Sequence, residues 1–361
     1  MKRLSVIAVN YNSSNLLKRC IFSIGSTINN IPLEVIIVDN GSRKEDRDIL
    51  KEIEGCAKII FKEDNHGYAK AVNEGIRNAC GDFILITNPD VLYIPYSINN
   101  MVEALTSFPR CGAVGPRTWW DEDMRFMLPF SELVTPFRIL KAELMTVSRV
   151  LNNTILKNWI RHSLGYWLSE VPIPQEMLSG ACIMTTKRVI SDVGGFDEAF
   201  PLYFEDTDWC LRVRKKGYRL YMIPDAQIVH YYNQSARQEL ESSQEKFNYS
   251  SDKYLRKHFK LQLKMVGYIK RLFKYKGLGP LYEDMGITTA PPLLRFKNKG
   301  RKLILLSPLN TLIPSAGAFV DDDTFTINEG LWRTLGKGRY FMKAFMLECL
   351  KEIGAWSWIK G

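Results

Sequence analysis

The 361-residue sequence lacks several features that would assign it to common protein classes. No apolar run approaches the roughly 20 residues that a transmembrane helix needs. The strand-like run Leu4–Val9 is too short for the apolar core of a signal peptide. Internal repeats and low-complexity tracts are also absent. We therefore expect a globular, cytoplasmic protein, and we leave open a peripheral position at the inner face of the plasma membrane.

The seven cysteines form neither a disulfide framework nor a zinc motif. Their number is odd, and no pair has the C-x-x-C spacing of metal and redox sites. Several lie in apolar runs, where a free cysteine acts as a small hydrophobe. We expect free thiols in a reducing compartment. The cysteines are Cys20, Cys56, Cys80, Cys111, Cys182, Cys210 and Cys349.

The loop after the first predicted strand, Asn10–Ser14, argues against two classes of nucleotide-binding enzyme. A dehydrogenase needs the G-x-G-x-x-G motif there, and this loop has no glycine. A nucleotidyltransferase needs a glycine-rich, basic loop to hold a triphosphate, and this loop carries no charge. Nucleic-acid binding is suggested only by the formal charge of +10. That charge suits phosphate-bearing ligands or an anionic membrane equally well.

Apolar runs and amphipathic segments alternate along the first 90 or so residues. Short apolar runs bounded by turn residues are typical of buried strands, and the segments between them have helical spacing. This order predicts an α/β fold with a mostly parallel, Rossmann-like sheet and helices on both faces. The predicted strands are Leu4–Val9, Glu34–Val38, Lys58–Phe61 and Phe83–Thr87.

Changes in composition predict the domain organisation. Residues 1–250 are predicted to form the α/β domain, with a helical, basic and aromatic insertion at 131–170. Residues 251–361 are predicted to form a helical C-terminal extension. Its first part, Tyr254–Lys276, combines an apolar stripe with basic residues. A helix packed on the core and a helix lying on an anionic membrane both show that pattern. Residues from Leu278 onward have no assigned function.

Three polar loops follow predicted strands, at Asn10–Ser14, Asp39–Ser42 and Asn88–Asp90. In an open α/β sheet, ligands bind outside the carboxyl ends of the strands. We therefore expect these loops to meet at one site. Taken alone, Asp39 would be a turn residue, because Asp-Asn-Gly-Ser is favourable turn chemistry.

Asp90 is a candidate metal ligand at the end of the fourth predicted strand. Carboxylate oxygens suit Mg²⁺ or Mn²⁺, and such an ion neutralises charge on a departing diphosphate. In isolation, a turn residue after Pro89 is an equally good interpretation. His230 also ends a predicted strand, and a lone histidine is usually structural. Its interpretation changes if Asp90 lies opposite.

The segment Asn65–Gly75 places glycines and polar residues around the start of a predicted helix, Tyr68–Ala79. Gly75 lies inside that helix, where glycine costs about 1 kcal/mol relative to alanine, so it indicates close packing. The simpler interpretation of Asn65 is a helix cap.

Glu205, Asp206 and Asp208 place three acids within four positions, next to the predicted helix Thr207–Lys216. Asp206 would also serve as the N-cap of that helix. Crowded like charges raise at least one pKa, which favours a general base that deprotonates a hydroxyl. The preceding loop, Gly194–Glu198, is rich in helix breakers.

In order and spacing, these segments together resemble the family 2 glycosyltransferases, which have the GT-A fold, and in particular their rhamnosyltransferase-like branch. The resemblance covers the first 260 or so residues, and its specificity comes from the set rather than from any single motif. The matching segments are Val9–Asn12, Val38–Ser42, Asn65–Gly75, Asn88–Asp90, Ser179–Ala181, Gly194–Asp197, Glu205–Asp208 and His230.

The resemblance implies how a nucleotide and a metal ion are bound. Asp90 matches the last acid of the family's D-x-D motif and would bind Mg²⁺ or Mn²⁺, with His230 as a further ligand. Asn88 stands where the first acid of that motif often lies, a departure that bears on metal affinity. Asp39 would contact the nucleobase. The rest of the nucleotide pocket would be lined by Val9, Asn10, Asn12, Asn65, Gly67, Asn73 and Asn88.

The resemblance also implies an inverting hexosyl transfer from a nucleotide diphosphate donor, dTDP-rhamnose or a UDP-hexose. Asp206 would be the catalytic base, with Glu205 beside it. The acceptor would be a hydroxyl of a glycan or polyprenyl-linked saccharide, for cell-surface polysaccharide synthesis, and the C-terminal extension would lie near the acceptor or an anionic membrane. No nucleic-acid partner is implied. The donor sugar and acceptor would be bordered by Gly180, Ala181 and Asp208.

One alternative from a different class stays open. The same segments would suit a non-catalytic protein that binds nucleotide sugars or a membrane surface. Loss of the acidic cluster would favour that alternative, and residues 205–208 retain all three acids.

Overall fold

The computed structural model describes residues 2–28, 30–231, 240–270 and 281–361. No helix in those stretches has the length and apolar character needed to cross a membrane. The chain divides into two compact units, each assembled from separate segments. The first comprises Met1–Thr118, Ser131–Leu133 and Ser169–His258, and the second comprises Trp119–Phe130, Val134–Leu168 and Phe259–Gly361.

The first unit begins with four parallel strands in the order β3-β2-β1-β4, joined by helices. This arrangement confirms the predicted α/β fold, and the predicted strands lie within two residues of the observed ones. The elements are β1 (Leu4–Asn10), α1 (Ser14–Thr27), β2 (Leu33–Asn40), α2 (Lys44–Lys51), β3 (Lys58–Lys62), α3 (Tyr68–Asn78) and β4 (Phe83–Thr87).

The sheet continues with strands that pair in the antiparallel sense. The strand that follows residue 181 lies beside β4, and the long strand that ends at His230 pairs with two short ones. The elements are β5 (Val91–Tyr93), α4 (Ser97–Ser107), β6 (Cys111–Trp119), β7 (Ile173–Gln175), β8 (Cys182–Thr186), α7 (Lys187–Val193), α8 (Glu205–Lys215) and β9 (Arg219–His230).

The sequence predicts two short strands at Arg219–Ile223 and Ala226–Val229, whereas the structure has one continuous strand, β9. Pro224 lies within it, although proline lacks the N–H that a ladder needs. In the structure, β9 pairs with β7 on one side of Pro224 and with β5 on the other, so neither of these ladders needs its N–H.

Helices cover both faces of the first unit's sheet. Alternate residues of β1 belong to different apolar clusters, because successive side chains of a strand point to opposite faces. Helices α1 and α4 supply one cluster, and α3 and α8 supply the other. Gly75 of α3 packs closely, as predicted: a Cβ there would lie 2.4 Å from Ile7.

The second unit contains the predicted helical insertion, as α5 (Pro136–Leu144) and α6 (Arg149–Trp167). These helices group with C-terminal strands rather than with the α/β domain in which they were predicted. Trp167 shows the connection: its indole N–H donates to the carbonyl of Leu128 at 2.9 Å. Its ring lies where a Cβ on Gly317 would approach to 2.5 Å.

The prediction of a helical extension over 251–361 is wrong beyond residue 281, where strands dominate. Five strands form a sheet in the order β10-β16-β15-β12-β13, and β11 pairs with β14. A short apolar run such as that of β12 does not distinguish a strand from a buried helix. The elements are β10 (Glu283–Thr288), β11 (Leu293–Arg295), β12 (Lys302–Ser307), β13 (Ala316–Val320), β14 (Thr324–Thr326), α10 (Glu329–Thr334), β15 (Gly338–Met346) and β16 (Lys351–Lys360).

Helix α9 (Leu240–Lys270) contains the helix predicted at Tyr254–Lys276 and starts earlier. Residues 271–276 of that prediction lie outside the described residues. The backbone leaves the helical conformation at Phe259, so two helical segments meet there. The predicted apolar stripe faces inward at Leu255 and Val266, which are buried.

Candidate active site

The loops after β1 and β2 meet, as predicted. Asn10 pairs with Asp39 in the strand register, and its Nδ2 donates to Oδ1 of Asp39 at 2.9 Å. The same Nδ2 lies 3.0 Å from Oγ of Ser42 and 2.7 Å from Oδ2 of Asp46. Asn10 is fully buried and satisfied by the protein itself. Asn10 therefore holds the two loops together, and its expected place in a nucleotide pocket stays a prediction. Val9 likewise belongs to the apolar core.

Asp39 is fully buried and paired with Arg47, a residue that the sequence did not single out. Nε of Arg47 lies 2.8 Å from Oδ2 of Asp39, and the guanidinium also donates to the carbonyl of Lys62. The guanidinium lies over the ring of Phe61, with its carbon 5.7 Å from the ring centre. Arg47 therefore pairs with the buried carboxylate of Asp39 at this strand end. The expected contact of Asp39 with a nucleobase stays a prediction.

Asn12 and Asn65 keep accessible surface at the same edge of the sheet. Oδ1 of Asn12 accepts a hydrogen bond from the backbone of Arg43 at 2.9 Å. Oδ1 of Asn65 accepts from Nδ2 of Asn40 at 2.9 Å and from the N–H of Gly67 at 3.0 Å. These bonds fix the loops in position and leave both asparagines beside the strand ends.

Gly41 and Gly67 are required by the backbone at this edge, since both have positive φ angles, 82° and 93°. A Cβ on Gly41 would lie 2.6 Å from the carbonyl carbon of Asp64, so only glycine allows that approach. The N–H of Tyr68, which follows Gly67, donates to the carbonyl of Pro201 at 3.1 Å.

His230 lies opposite Asp90, the condition that gives this histidine a role as a candidate ligand. Strand β5 pairs Val91 with His230, which brings Nε2 of His230 to 3.3 Å from Oδ1 of Asp90. Both residues are buried. The described residues hold no group of three or more His, Cys, Asp or Glu side chains arranged for a metal ion. A cation at this pair would need further ligands from a bound substrate.

Tyr68 connects the strand ends to the acidic cluster, and sequence reasoning missed it. Its hydroxyl donates to Oδ1 of Asn88 at 3.1 Å. Burial raises the pKa of Tyr68, and the carboxylates of Glu205, Asp206 and Asp90 raise it further. The three acids therefore surround this phenol. The sequence gave no reason to select Tyr68, because a tyrosine at the start of a helix usually packs against the core.

Asp206 is held at the N-terminus of α8 with part of its surface exposed. Its Oδ2 accepts from the N–H of Gly180 at 2.7 Å, and its Oδ1 accepts from the N–H of Thr207 at 2.6 Å. Burial raises the pKa of Asp206, and these hydrogen bonds oppose the rise. The N–H of Asn88 donates to the carbonyl of Ala181 at 2.9 Å, so the Gly180–Ala181 turn connects the loop that contains Asp90 to Asp206.

Glu205 differs from its neighbour because it is buried and one of its two carboxylate oxygens makes no hydrogen bond to a described residue. Among the described residues, its Oε2 is one of the buried oxygens with no hydrogen bond. Burial raises the pKa of Glu205 to about 8, and the adjacent Asp206 contributes to the rise. At neutral pH Glu205 is therefore mainly protonated.

The backbone before the acids is strained. Tyr203 and Phe204 both have φ of 67°, a left-handed conformation that costs a non-glycine residue on the order of 1–3 kcal/mol. Phe204 is buried, with its ring 5.4 Å from that of Tyr254. Packing thus holds a strained turn that delivers Glu205 and Asp206 to the start of α8.

Asn73 and Asp208 lie away from this arrangement. Asn73 donates to the carbonyl of Phe196 at 2.8 Å and accepts from its N–H at 2.9 Å, so it holds the loop before α8. Asp208 has a fully buried side chain bonded to Arg212, Lys257 and His258. The expected places of Asn73 in the nucleotide pocket and of Asp208 beside the donor sugar stay predictions.

Comparison with known proteins gives the family. Residues 5–160 match the family model described as glycosyl transferase family 2. The chain is 28% identical over 240 residues to the N-acetylglucosaminyl-diphospho-decaprenol L-rhamnosyltransferase of Mycobacterium tuberculosis, across 63% of this chain and 76% of that protein. It is 25% identical over 205 residues to the dTDP-rhamnosyl transferase RfbF of Shigella flexneri, across 54% of this chain and 59% of that protein.

Among solved structures, a mannosyltransferase of Pyrobaculum calidifontis, in complex with GDP-Man and Mn²⁺, aligns with a TM-score of 0.43 and 19% identity. The alignment covers 64% of this chain and 57% of that one. The matched family segment, residues 5–160, contains the strand ends with Asn10, Asp39 and Asp90. Residues 5–160 thus match the family 2 glycosyltransferases, and the chain is a transferase enzyme that is similar to rhamnosyltransferases.

Proposed function

We propose that this enzyme transfers a hexose, with inversion, from a nucleotide diphosphate donor to a hydroxyl of a saccharide acceptor. The observation that carries the proposal is the acidic pair at the start of α8. Asp206 is partly exposed and fixed by two backbone N–H groups, whereas Glu205 is buried beside it. One accessible, ionised carboxylate is what a single displacement needs as its base.

In this proposal, Asp206 accepts the proton of the acceptor hydroxyl as its oxygen attacks the anomeric carbon of the donor. The bond from that carbon to the diphosphate breaks as the new bond forms, so the configuration inverts. Burial makes the Asp206 carboxylate a stronger base than an exposed aspartate, because the charged form is less well solvated. The protonated form of Glu205 avoids a second negative charge beside it.

The donor atoms of Asp90 and His230 suit a divalent cation. One carboxylate oxygen and one imidazole nitrogen favour Mn²⁺ over Mg²⁺. Their proximity of 3.3 Å and their burial at the strand ends support the assignment. When bound, the ion would neutralise charge on the diphosphate. The two residues would hold it, and the rest of its coordination would come from the donor.

The nucleotide would lie across the ends of β1, β2 and β4. Asn12 and Asn65 have the exposed surface to meet it, and the Asp39–Arg47 pair would define the far end of the pocket. Arg47 offers a cation beside the ring of Phe61, which is 40% exposed. A base stacked on that ring is the arrangement we propose.

The relatives support dTDP-rhamnose as the first donor to test and UDP-hexoses as the next, because the Shigella flexneri protein is named a dTDP-rhamnosyl transferase. The Mycobacterium tuberculosis protein is named for an N-acetylglucosaminyl-diphospho-decaprenol acceptor, which supports a polyprenyl-linked saccharide here. Transfer of a sugar to a lipid-linked acceptor would place the enzyme at the inner face of the plasma membrane, on the cytoplasmic side. We propose that the second unit contacts the acceptor or that membrane.

The test is thermal stabilisation of the full chain by each nucleotide sugar with Mn²⁺, Mg²⁺ or EDTA. A ligand that binds only the folded state raises the unfolding temperature. A metal-dependent rise with one donor class, followed by sugar transfer by wild type and none by Asp206→Asn, supports the proposal. Stabilisation without transfer to any acceptor would favour the non-catalytic alternative. No stabilisation by any nucleotide sugar would contradict both.

A further inference from the structure

Asp208 is a fully buried carboxylate that is held by three side chains. Nε of Arg212 lies 2.7 Å from its Oδ2, whereas Nζ of Lys257 and Nε2 of His258 lie 2.6 Å and 2.7 Å from its Oδ1. A buried charge is tolerated only when it is paired and hydrogen-bonded. Burial alone would raise the pKa of Asp208, yet the hydrogen bonds from Lys257, His258 and Arg212 hold it below its usual range. Asp208 is therefore ionised.

The two oxygens of the Asp208 carboxylate are bonded to residues of two different helices. Arg212 belongs to α8 itself, four residues along, so its bond is internal to that helix. Lys257 and His258 belong to α9, and their bonds to Oδ1 attach α8 to a distant part of the chain. Lys257 also lies 2.7 Å from Asp197, in the loop before α8. The α9 pair thus holds both the helix and the loop that leads into it.

His258 acts as a neutral hydrogen-bond donor. Its Nδ1 lies 3.2 Å from Nζ of Lys215, which can only donate, so the proton on the imidazole is assigned to Nε2, facing Asp208. Burial lowers the pKa of His258, as do the charges of Lys215 and Lys257, and Asp208 opposes them. The ring also packs against Tyr254, at 5.2 Å between centroids. Nδ1 of His258 therefore accepts a hydrogen bond from Lys215, and Nε2 donates one to Asp208.

Asp208 lies two residues after Asp206, in the first turn of α8. That turn follows the strained residues Tyr203 and Phe204, so local backbone preference does not hold it. We propose that Lys257 and His258 are positioning residues, which fix the first turn of α8 through Asp208 and so set where the Asp206 carboxylate stands. This inference rests on the proposed role of Asp206 as the base. It adds that residues some 50 positions later in the chain set the reaction rate.

The proposal is tested with Lys257→Met, His258→Leu and the double variant of the full chain. A misplacement of about 1 Å can lower a catalysed rate by about 100-fold. We expect each single variant to lose roughly 10-fold in kcat and the double variant on the order of 100-fold, with the KM for the donor unchanged. Lys257→Arg and His258→Gln keep a donor to Asp208 and should recover most of the rate.

Arg256→Met is the matched control on the same turn of α9. Arg256 is exposed and pairs with Asp252, so this change removes one positive charge without touching Asp208. We expect wild-type kcat from it. Equal losses from Arg256→Met and Lys257→Met would overturn the proposal, because a general effect of charge would then explain both.

A second readout is independent of sugar transfer. The N–H of Gly180 is bonded to Oδ2 of Asp206, so its hydrogen exchange reports where that carboxylate stands. Faster exchange at Gly180 in the double variant, with wild-type exchange in the strands of the sheet, supports positioning. Unchanged exchange together with wild-type kcat overturns it. If wild type itself transfers no sugar to any acceptor, the proposed function fails, and exchange at Gly180 still decides the positioning claim.

Discussion

The N–H of Gly180 donates a hydrogen bond of 2.7 Å to Oδ2 of Asp206, and no side chain at position 180 stands between them. A Cβ there would lie 2.9 Å from that same oxygen and 3.1 Å from the Cβ of Asp206. The glycine is therefore the reason that this carboxylate can stand against the backbone of the turn before β8.

Gly180→Ala should consequently push the Asp206 carboxylate away from its backbone donor. We expect kcat to fall by about 10- to 100-fold, because a small displacement of a catalytic group is costly. Nucleotide binding should persist. Gly25→Ala is the matched control: a Cβ there meets nothing within 4 Å, and it lies in helix α1. Steady-state kinetics of both variants provide the measurement, and wild-type kcat from Gly180→Ala would refute the assigned position of the base.

Glu205 should make stability depend on pH. Its pKa is about 8 in the fold against a usual value of 4.5, so between these values the folded state holds a proton that the unfolded state has lost. This contribution is complete below about pH 4.5 and is lost as the pH rises through 8. Its slope reaches at most about 1.4 kcal/mol per pH unit. The raised pKa of Asp206 acts in the same direction.

Denaturant unfolding at a series of pH values, in wild type and Glu205→Gln, measures this effect. The amide cannot ionise, so the free energy of unfolding should fall less steeply with pH in the variant. Glu103→Gln, at an exposed position of α4, should keep the wild-type slope. Parallel curves for wild type and Glu205→Gln would show that Glu205 ionises normally in the fold.

Asp90→Asn and His230→Ala should each weaken the binding of the metal ion. Removing a charge or a ligand at this pair raises the Mn²⁺ concentration needed for half-maximal stabilisation by a nucleoside diphosphate. Binding of the nucleoside portion in EDTA should change little. Asp225→Asn, an exposed acid on the same strand as His230, is the control. An unaltered Mn²⁺ titration in both variants would exclude this pair as the metal site.

Arg47→Met should affect both stability and nucleotide affinity. The change leaves the buried carboxylate of Asp39 without its cation, which should lower the free energy of unfolding by about 1–3 kcal/mol. It also removes a cation at the proposed nucleotide pocket. Lys44→Met removes an exposed cation from the same helix and should be neutral. Calorimetric titration with UDP and dTDP separates the two effects, and equal affinities in wild type and Arg47→Met would exclude a nucleotide contact.

The sequence was most informative where one local rule sufficed. The glycines Gly194 and Gly195 predict the end of a short helix over Lys187–Val193, and that is the observed span of α7. The parallel strands followed from apolar runs at regular spacing, and Gly75 indicated a close contact that the structure confirms. The juxtaposition of Asp90 and His230 was stated as a condition and is met, because β5 and β9 pair there.

The sequence was least informative where the outcome depended on a distant partner. From the sequence, Asp208 was grouped with the acids beside it. In the structure it pairs with Lys257 of α9, a helix far along the chain. Arg47 carried no signal, because only the folding of α2 against β2 brings it to Asp39. The C-terminal strands were missed because short apolar runs fit a strand or a helix equally well.

The configuration of the product tests the central claim most directly. Wild-type enzyme, dTDP-rhamnose or a UDP-hexose, Mn²⁺ and a polyprenyl-diphosphate-linked N-acetylglucosamine would be incubated together, and the anomeric configuration of the new linkage would be read by NMR. A single displacement assisted by Asp206 predicts a configuration opposite to that of the donor. A product with the donor's own configuration would contradict a single displacement and the role of Asp206 as its base.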